Sequence, residues 1–215
     1  MIAEMTRPRV ALADDHAMLL EAFQHLLESS CEVVGTATNG ADMLALVRAQ
    51  RPEVVVLDIS MPGMNGIETF RQLRRESPDT RVVFLTVNED PEVAAQTLRE
   101  GASGYVVKTA AARELFDAIR VAMSGGMFVT RSIADAVHAA LQRPASRGDA
   151  SGLSPRQREI LALVAAGFTM REIAEKLSIT PRTVAFHKYR TMEVLDLKTT
   201  AELIQYAVRN NIVAR

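Results

Sequence analysis

The chain has 215 residues, 48 % hydrophobic and 24 % charged, with a net charge of −1. That is the composition of a globular protein able to form one large or two modest domains. No apolar run nears the roughly 18 residues of a membrane span, and the polar stretch 1–9 leads into a strand pattern rather than a signal peptide. A single cysteine, Cys31, excludes an internal disulfide and suits a reducing compartment. The expectation is a cytoplasmic protein without membrane contact, with Cys31 acting as a small core hydrophobe.

Charge divides along the chain. Residues 1–141 hold 13 Lys/Arg against 19 Asp/Glu, whereas residues 153–215 hold 10 against 6. An acidic front and a basic back suit a regulatory half and a polyanion-binding half.

In the front half, strand-like apolar runs at 9–13, 33–37, 54–58, 82–86 and 104–107 alternate with helical spacing at 17–28, 41–49, 66–75, 91–99 and 111–123. Five β/α pairs predict an α/β, doubly wound, five-stranded parallel sheet of flavodoxin-like type, since parallel strands require crossover helices. The nearly continuous apolar run 54–57 belongs to a strand covered on both faces. Gly125-Gly126 closes this region, and residues 131–141 read as one further helix. Residues 142–152 (QRPASRGDASG) lack periodic apolar positions and read as a flexible linker.

In a sheet of this kind, ligands sit beyond the carboxyl ends of the strands. Asp14 and Asp15 follow the first strand, Asp58 ends the third, Thr86 the fourth, and Lys108 the fifth. All five therefore fall on one rim. Gathered carboxylates favour a hard divalent cation such as Mg²⁺, and a carboxylate can attack a phosphoryl group. A metal and an ammonium would offset charge on the transferring oxygens. His16 is read as a helix N-terminal residue without a catalytic role.

Asp14-Asp15, Asp58 in VVVLDISMPGMNG, Thr86 in VVFLTVN and Lys108 in GYVVK resemble the receiver domain of two-component response regulators over residues 7–125. The resemblance implies that Asp58 is the phosphoacceptor and that Asp15, Asp58 and the Ser60 backbone carbonyl bind Mg²⁺, with Asp14 acting through water. It further makes Thr86 the switch hydroxyl, Tyr105 a rotating aromatic and Lys108 the phosphate-contacting cation. Thr109 stands where many receivers carry proline, and Val87 where many carry alanine or glycine. Ser60 and Asn88 occupy positions that in this family tune the lifetime of the phosphoryl group.

The basic back half predicts a small all-α domain. Ser154-Pro155 caps a first helix with Ile160, Leu161, Leu163 and Val164 inward and Gly167 at its end. A second helix spans 170–177, burying Ile173, Ala174 and Leu177. A tight turn at 178–180 leads to a third from Pro181 to about Leu195, and a fourth spans 200–209. Two short helices joined by a tight turn fit a helix-turn-helix. The run LSPRQREILALVAAGFTMREIAEKLSITPRTVAFHKYRTMEVL resembles the LuxR/NarL DNA-binding domain over residues 153–213. The implied organisation is a receiver at 7–125, an extra helix and linker at 126–152, and a DNA-binding domain at 153–215.

On the third helix Val184, Thr191 and Leu195 keep core spacing, while Arg182, Ala185, Phe186, Tyr189 and Glu193 form the opposite stripe. That stripe would face the major groove, with Thr183, Lys188 and Arg190 at flanking phosphates. His187 is expected to hold the helix against its neighbours. Relatives often carry lysine at the position of Ala185.

These readings together imply a DNA-binding transcription regulator rather than an enzyme, phosphorylated by a sensor histidine kinase, with phosphorylation controlling dimerisation on double-stranded DNA. RNA polymerase is a further partner such a protein implies. Two other classes fit parts of the pattern. An acidic rim also serves Mg²⁺-dependent phosphatases, although so compact a front domain leaves no room for a cap. A small helical domain can also dock on another protein.

Overall fold

Five apolar β segments separated by amphipathic helices have one economical solution, a parallel sheet with helices on both faces. The computed structural model, which describes residues 7–142 and 152–212, adopts it. The chain divides into two compact units after Ala140.

The first unit runs β1 (Arg9–Ala13), α1 (Ala17–Glu28), β2 (Glu32–Ala37), α2 (Gly40–Gln50), β3 (Val54–Leu57), α3 (Gly66–Glu76), β4 (Arg81–Thr86), α4 (Pro91–Arg99), β5 (Gly104–Val107) and α5 (Ala111–Met123). It continues through β6 (Phe128–Val129) to α6 (Ala134–Gln142). The strand order is β2-β1-β3-β4-β5-β6, all parallel. This corrects the expected five strands to six. The added β6 has two residues, too short for alternation to show, and pairs Phe128 with Gly104 and Val129 with Tyr105.

The chain reverses order at β1, so β1 and β3 are inner neighbours and their C-terminal ends open together at the crevice where such sheets bind ligands. Every residue of β3 is buried, as its apolar run requires. Val10, Leu12, Val54, Val56, Val83, Leu85 and Val106 pack with Leu20 and Leu27 of α1 and with Leu115, Ala118 and Ile119 of α5. Cys31, just before β2, is 2 % exposed in the same core, and burial raises its thiol pKa. Helix α6 buries Val137 and Ala140, and Arg99 of α4 donates to the Ala140 carbonyl at 2.5 Å. Residues 143–151 of the expected linker lie outside the described residues.

The second unit has four helices, α7 (Pro155–Ala165), α8 (Met170–Leu177), α9 (Pro181–Val194) and α10 (Thr200–Arg209). Their ends are written locally. Ser154 with Gln157, Thr169 with Glu172, and Thr199 with Glu202 form reciprocal capping boxes, while Thr180 caps α9 ahead of Pro181. Ser178 takes the left-handed conformation (φ 51°) that stops α8, and Gly167 (φ 88°) lies in the turn after α7. Leu153, Ile160, Leu161, Val164, Ile173, Val184, Met192 and Leu203 form the core, with Leu163, Leu177 and Leu195 only partly buried against it. Among the described residues no helix is long and apolar enough to cross a membrane.

Candidate functional site

The rim pocket is assembled by the ends of β1, β3 and β5. The Asp14 N–H donates to the Ala37 carbonyl (3.1 Å) and the Asp58 N–H to the Ala13 carbonyl (2.9 Å), so both carboxylates leave the sheet from hydrogen-bonded positions. Asp14 is 2 % and Asp58 1 % exposed. Between them stands Lys108, in a 3₁₀ turn after β5, with Nζ 2.5 Å from Asp14 Oδ2 and 2.9 Å from Asp58 Oδ2. A buried ammonium sharing two buried carboxylates is how such charges survive removal from water.

Asp58 Oδ1 has no hydrogen-bond partner among the described residues. One cation can be shared by Asp14, Asp15, His16 and Asp58, whose donor atoms all lie within 4.8 Å of one another. Clustered carboxylates with a buried oxygen left over fit a divalent cation. Asp15 is more open than Asp14 and lies with Oδ1 2.8 Å from His16 Nδ1. Ser60 is half-buried in the loop after Asp58.

Gly66, the first residue of α3, controls how closely that helix approaches the pocket. A Cβ there would stand 2.0 Å from the Asp58 carbonyl oxygen and 2.8 Å from Ile59 Cα. Only glycine permits the approach. The Gly66 N–H in turn donates to the Ile59 carbonyl (2.8 Å), fastening the loop behind Asp58.

Thr86 and Tyr105 are both fully buried, and they meet at one residue. Thr86 Oγ1 accepts from the Asn88 N–H (3.2 Å), and the Tyr105 hydroxyl donates to the Asn88 carbonyl (2.9 Å). The Asn88 side chain accepts from the Asp90 N–H (2.8 Å), and Asp90 caps α4 through the Glu92 N–H. The β4–α4 loop is therefore held from the strand on one side and from Tyr105 on the other. Burial pushes the Tyr105 phenol pKa well up, with Asp90, Asp58 and Glu89 adding to the effect. Sequence reasoning gave Asn88 a part in tuning the phosphoryl lifetime but not this bridge between Thr86 and Tyr105. It also missed Thr130, whose hydroxyl accepts from the Val107 N–H (2.9 Å) just ahead of Lys108. No local signal marks either part, because Asn88 acts through its own peptide groups and Thr130 through the distant Val107 N–H.

In the second unit, α9 exposes Arg182, Tyr189 (57 %) and Glu193, with Ala185, Phe186 and Arg190 half-buried. Phe186 meets the His187 ring edge-on at 5.3 Å, and Arg190 pairs with Glu193 at 2.6 Å. His187, expected to hold the helix in place, is 4 % exposed. Two residues expected at phosphates face otherwise. Thr183 is 2 % exposed because its N–H and hydroxyl both face the capping Thr180 hydroxyl (3.1 and 2.9 Å). Lys188 is 8 % exposed, with its ammonium 5.5 Å from the Tyr189 ring centroid.

With this geometry in place, comparison with known proteins is decisive. The response regulator receiver domain matches residues 10–120, and the luxR family of bacterial regulatory proteins matches residues 151–207. The chain belongs to the LuxR-type response regulators. This response regulator is 35 % identical to the transcriptional regulatory protein MctR of Rhizobium johnstonii (100 % of this chain, 99 % of that protein). It is 34 % identical to the oxygen regulatory protein NreC of Staphylococcus carnosus (95 % and 99 %). Among solved structures, an RcsB–DNA complex aligns over 94 % of this response regulator and 98 % of that chain, at TM-score 0.62 and 26 % identity. RcsB from Salmonella enterica serovar Typhimurium, bound to a promoter in the presence of phosphomimetic BeF3⁻, aligns over the same shares at TM-score 0.61 and 29 % identity. The response regulator is thus a DNA-binding regulator of transcription in a two-component system.

Proposed function

We propose that a sensor histidine kinase phosphorylates Asp58 and that the aspartyl-phosphate promotes dimerisation and DNA binding. The observation that carries this reading is Asp58 itself, buried, held through Oδ2 by Lys108, and with Oδ1 lacking a hydrogen bond among the described residues. A carboxylate oxygen attacks the phosphorus of a phosphohistidine, the P–N bond breaks, and its electron pair leaves with the imidazole. Lys108 then turns part of its charge toward the new phosphoryl oxygens. Asp15, Asp58 and the Ser60 carbonyl would hold Mg²⁺, with Asp14 acting through water. Bound there, the cation would offset charge on the transferring group.

The response follows from Asn88. When the Thr86 hydroxyl turns to the phosphoryl group, it gives up the Asn88 N–H. The loop is then held only from its other side, by Tyr105. Release shifts loop and phenol together, and a population change of this kind is the output of a two-state element.

At the other end, α9 enters the major groove with Arg182, Ala185, Phe186 and Tyr189 toward base edges and Arg190 near the backbone. Phe186 and Ala185 suit thymine methyl groups. Lys188 reaches a phosphate only after leaving the Tyr189 ring, and the Thr183 side chain stays with the cap. A homodimer would read a two-fold site; RcsB, for its part, has been solved as dimers bound to DNA. The same reading makes the protein cytoplasmic and RNA polymerase its eventual partner.

The test is selection of genomic DNA fragments with and without beryllofluoride and Mg²⁺, using Asp58→Asn as control. Specific enrichment confined to treated wild type is expected. Equal enrichment in all samples would refute phosphorylation control while keeping DNA binding, and no enrichment would refute both.

A further inference from the structure

His16 sits at the N-cap of α1, where a side chain ordinarily accepts a backbone N–H. This one does not; it makes no cap hydrogen bond. Its backbone N–H donates to Asp14 Oδ1 (3.0 Å), and the ring turns toward the carboxylates, with Nδ1 3.1 Å from Asp14 Oδ1 and 2.8 Å from Asp15 Oδ1. The side chain is half-exposed, so the pocket is open to solvent on its side. On the opposite side the cluster ends in Asp58, fully buried, with Oδ1 unpartnered among the described residues.

Magnesium makes no use of an imidazole, because it takes oxygen ligands and retains water. Neutral imidazole suits Co²⁺, Ni²⁺ and Zn²⁺, whose affinities for nitrogen donors exceed those of the hard cations. We propose that His16 extends the carboxylate pocket into a second class of cation site, binding borderline transition-metal ions through Nδ1 together with Asp14, Asp15 and Asp58. This rests on the pocket being a cation site, but not on Asp58 being phosphorylated. Cys31, buried in the core, supplies no competing thiolate.

Substitution at His16 removes no cap bond, and serine is favoured at this position, so His16→Ser keeps the fold. His25, 3.2 Å from Glu28 within the same helix, is the control for adventitious surface binding. Full-length wild type, His16→Ser and His25→Ser are titrated with Co²⁺ and separately with Mg²⁺ by calorimetry, and the His16 ring protons are followed for paramagnetic shifts with Co²⁺. In His16→Ser, Co²⁺ affinity is expected to fall by at least about tenfold while Mg²⁺ affinity changes by less than about threefold. His25→Ser behaves as wild type, and the His16 ring protons shift. Unchanged Co²⁺ affinity in His16→Ser, or parallel loss of both metals, overturns the proposal. His16-dependent Co²⁺ binding without Mg²⁺ binding upholds it and instead refutes the Mg²⁺-assisted phosphoryl transfer.

Discussion

Gly66→Ala tests the claim that α3 is seated against the backbone of Asp58, the proposed phosphoacceptor. The added methyl would stand 2.0 Å from the Asp58 carbonyl oxygen and 2.8 Å from Ile59 Cα. Ordinary contact lies near 3.5 Å, so the helix start and the Asp58 carbonyl must separate by about 1.5 Å. Both obstacles are backbone atoms, and no rotamer change relieves them. Overpacking of this kind costs about 1–3 kcal/mol, offset by less than about 1 kcal/mol of improved helix propensity at a first-turn position. The net loss is about 2 kcal/mol, or about 1 M in urea midpoint for an m-value near 2 kcal/mol/M. A displacement of about 1 Å at a reacting carboxylate costs about a hundredfold in rate. Chemical denaturation and mass-spectrometric rates of Asp58 phosphorylation from a small acyl phosphate with Mg²⁺ measure the two effects. A variant with wild-type midpoint and rate would refute the seating argument.

Lys108→Ala removes the ammonium shared by two buried carboxylates, and stability should fall by about 3–5 kcal/mol in chelator. Millimolar Mg²⁺ should recover part of the lost melting temperature, and no recovery would count against the cation site. Tyr105→Phe keeps the packing but loses the hydrogen bond to Asn88, costing about 1 kcal/mol in urea denaturation. Because the folded Tyr105 pKa is raised, its contribution is fully present below about pH 10 and is lost as pH climbs through the folded value. Wild-type stability should therefore decline above about pH 10, and Tyr105→Phe should remove that part of the decline. On DNA, Arg190→Ala should weaken binding and reduce the log–log salt slope by about 1. Tyr189→Ala should weaken binding with the slope unchanged, and a steepness change on its removal would place the ring outside the base-reading face.

The pocket was legible because each of its members ends or follows a strand, and strand ends can be counted from apolar runs. Asp14, Asp58 and Lys108 meet for that reason alone. The helix ends of the second unit were equally readable, since capping residues and prolines act within four positions of themselves. What escaped was whatever depends on backbone groups, which carry no residue-specific signal. Asn88 joins Thr86 to Tyr105 through its peptide N–H and carbonyl, which any residue would possess. Strand β6 is two residues long and exists because β5 offers an edge to pair with. Lys188 on the flank and Thr183 at the helix start were assigned to phosphates, but both are buried, Thr183 against the cap hydroxyl of Thr180. His16 was read from its place at a helix start, whereas its ring follows the charge of its neighbours.

The capping of the second unit bears on how the chain assembles in time. Three reciprocal boxes and a capping threonine let each helix there find its ends without help from remote sequence. The sheet unit must instead close long crossovers before any parallel pair forms. Contact distance along the chain sets folding speed, so the two halves should refold from denaturant on separate clocks. The helical unit should be complete while the sheet is still searching for register. A fluorophore on each half would record two phases, and for that interval the chain would be a folded DNA-binding module joined to an unfinished sheet.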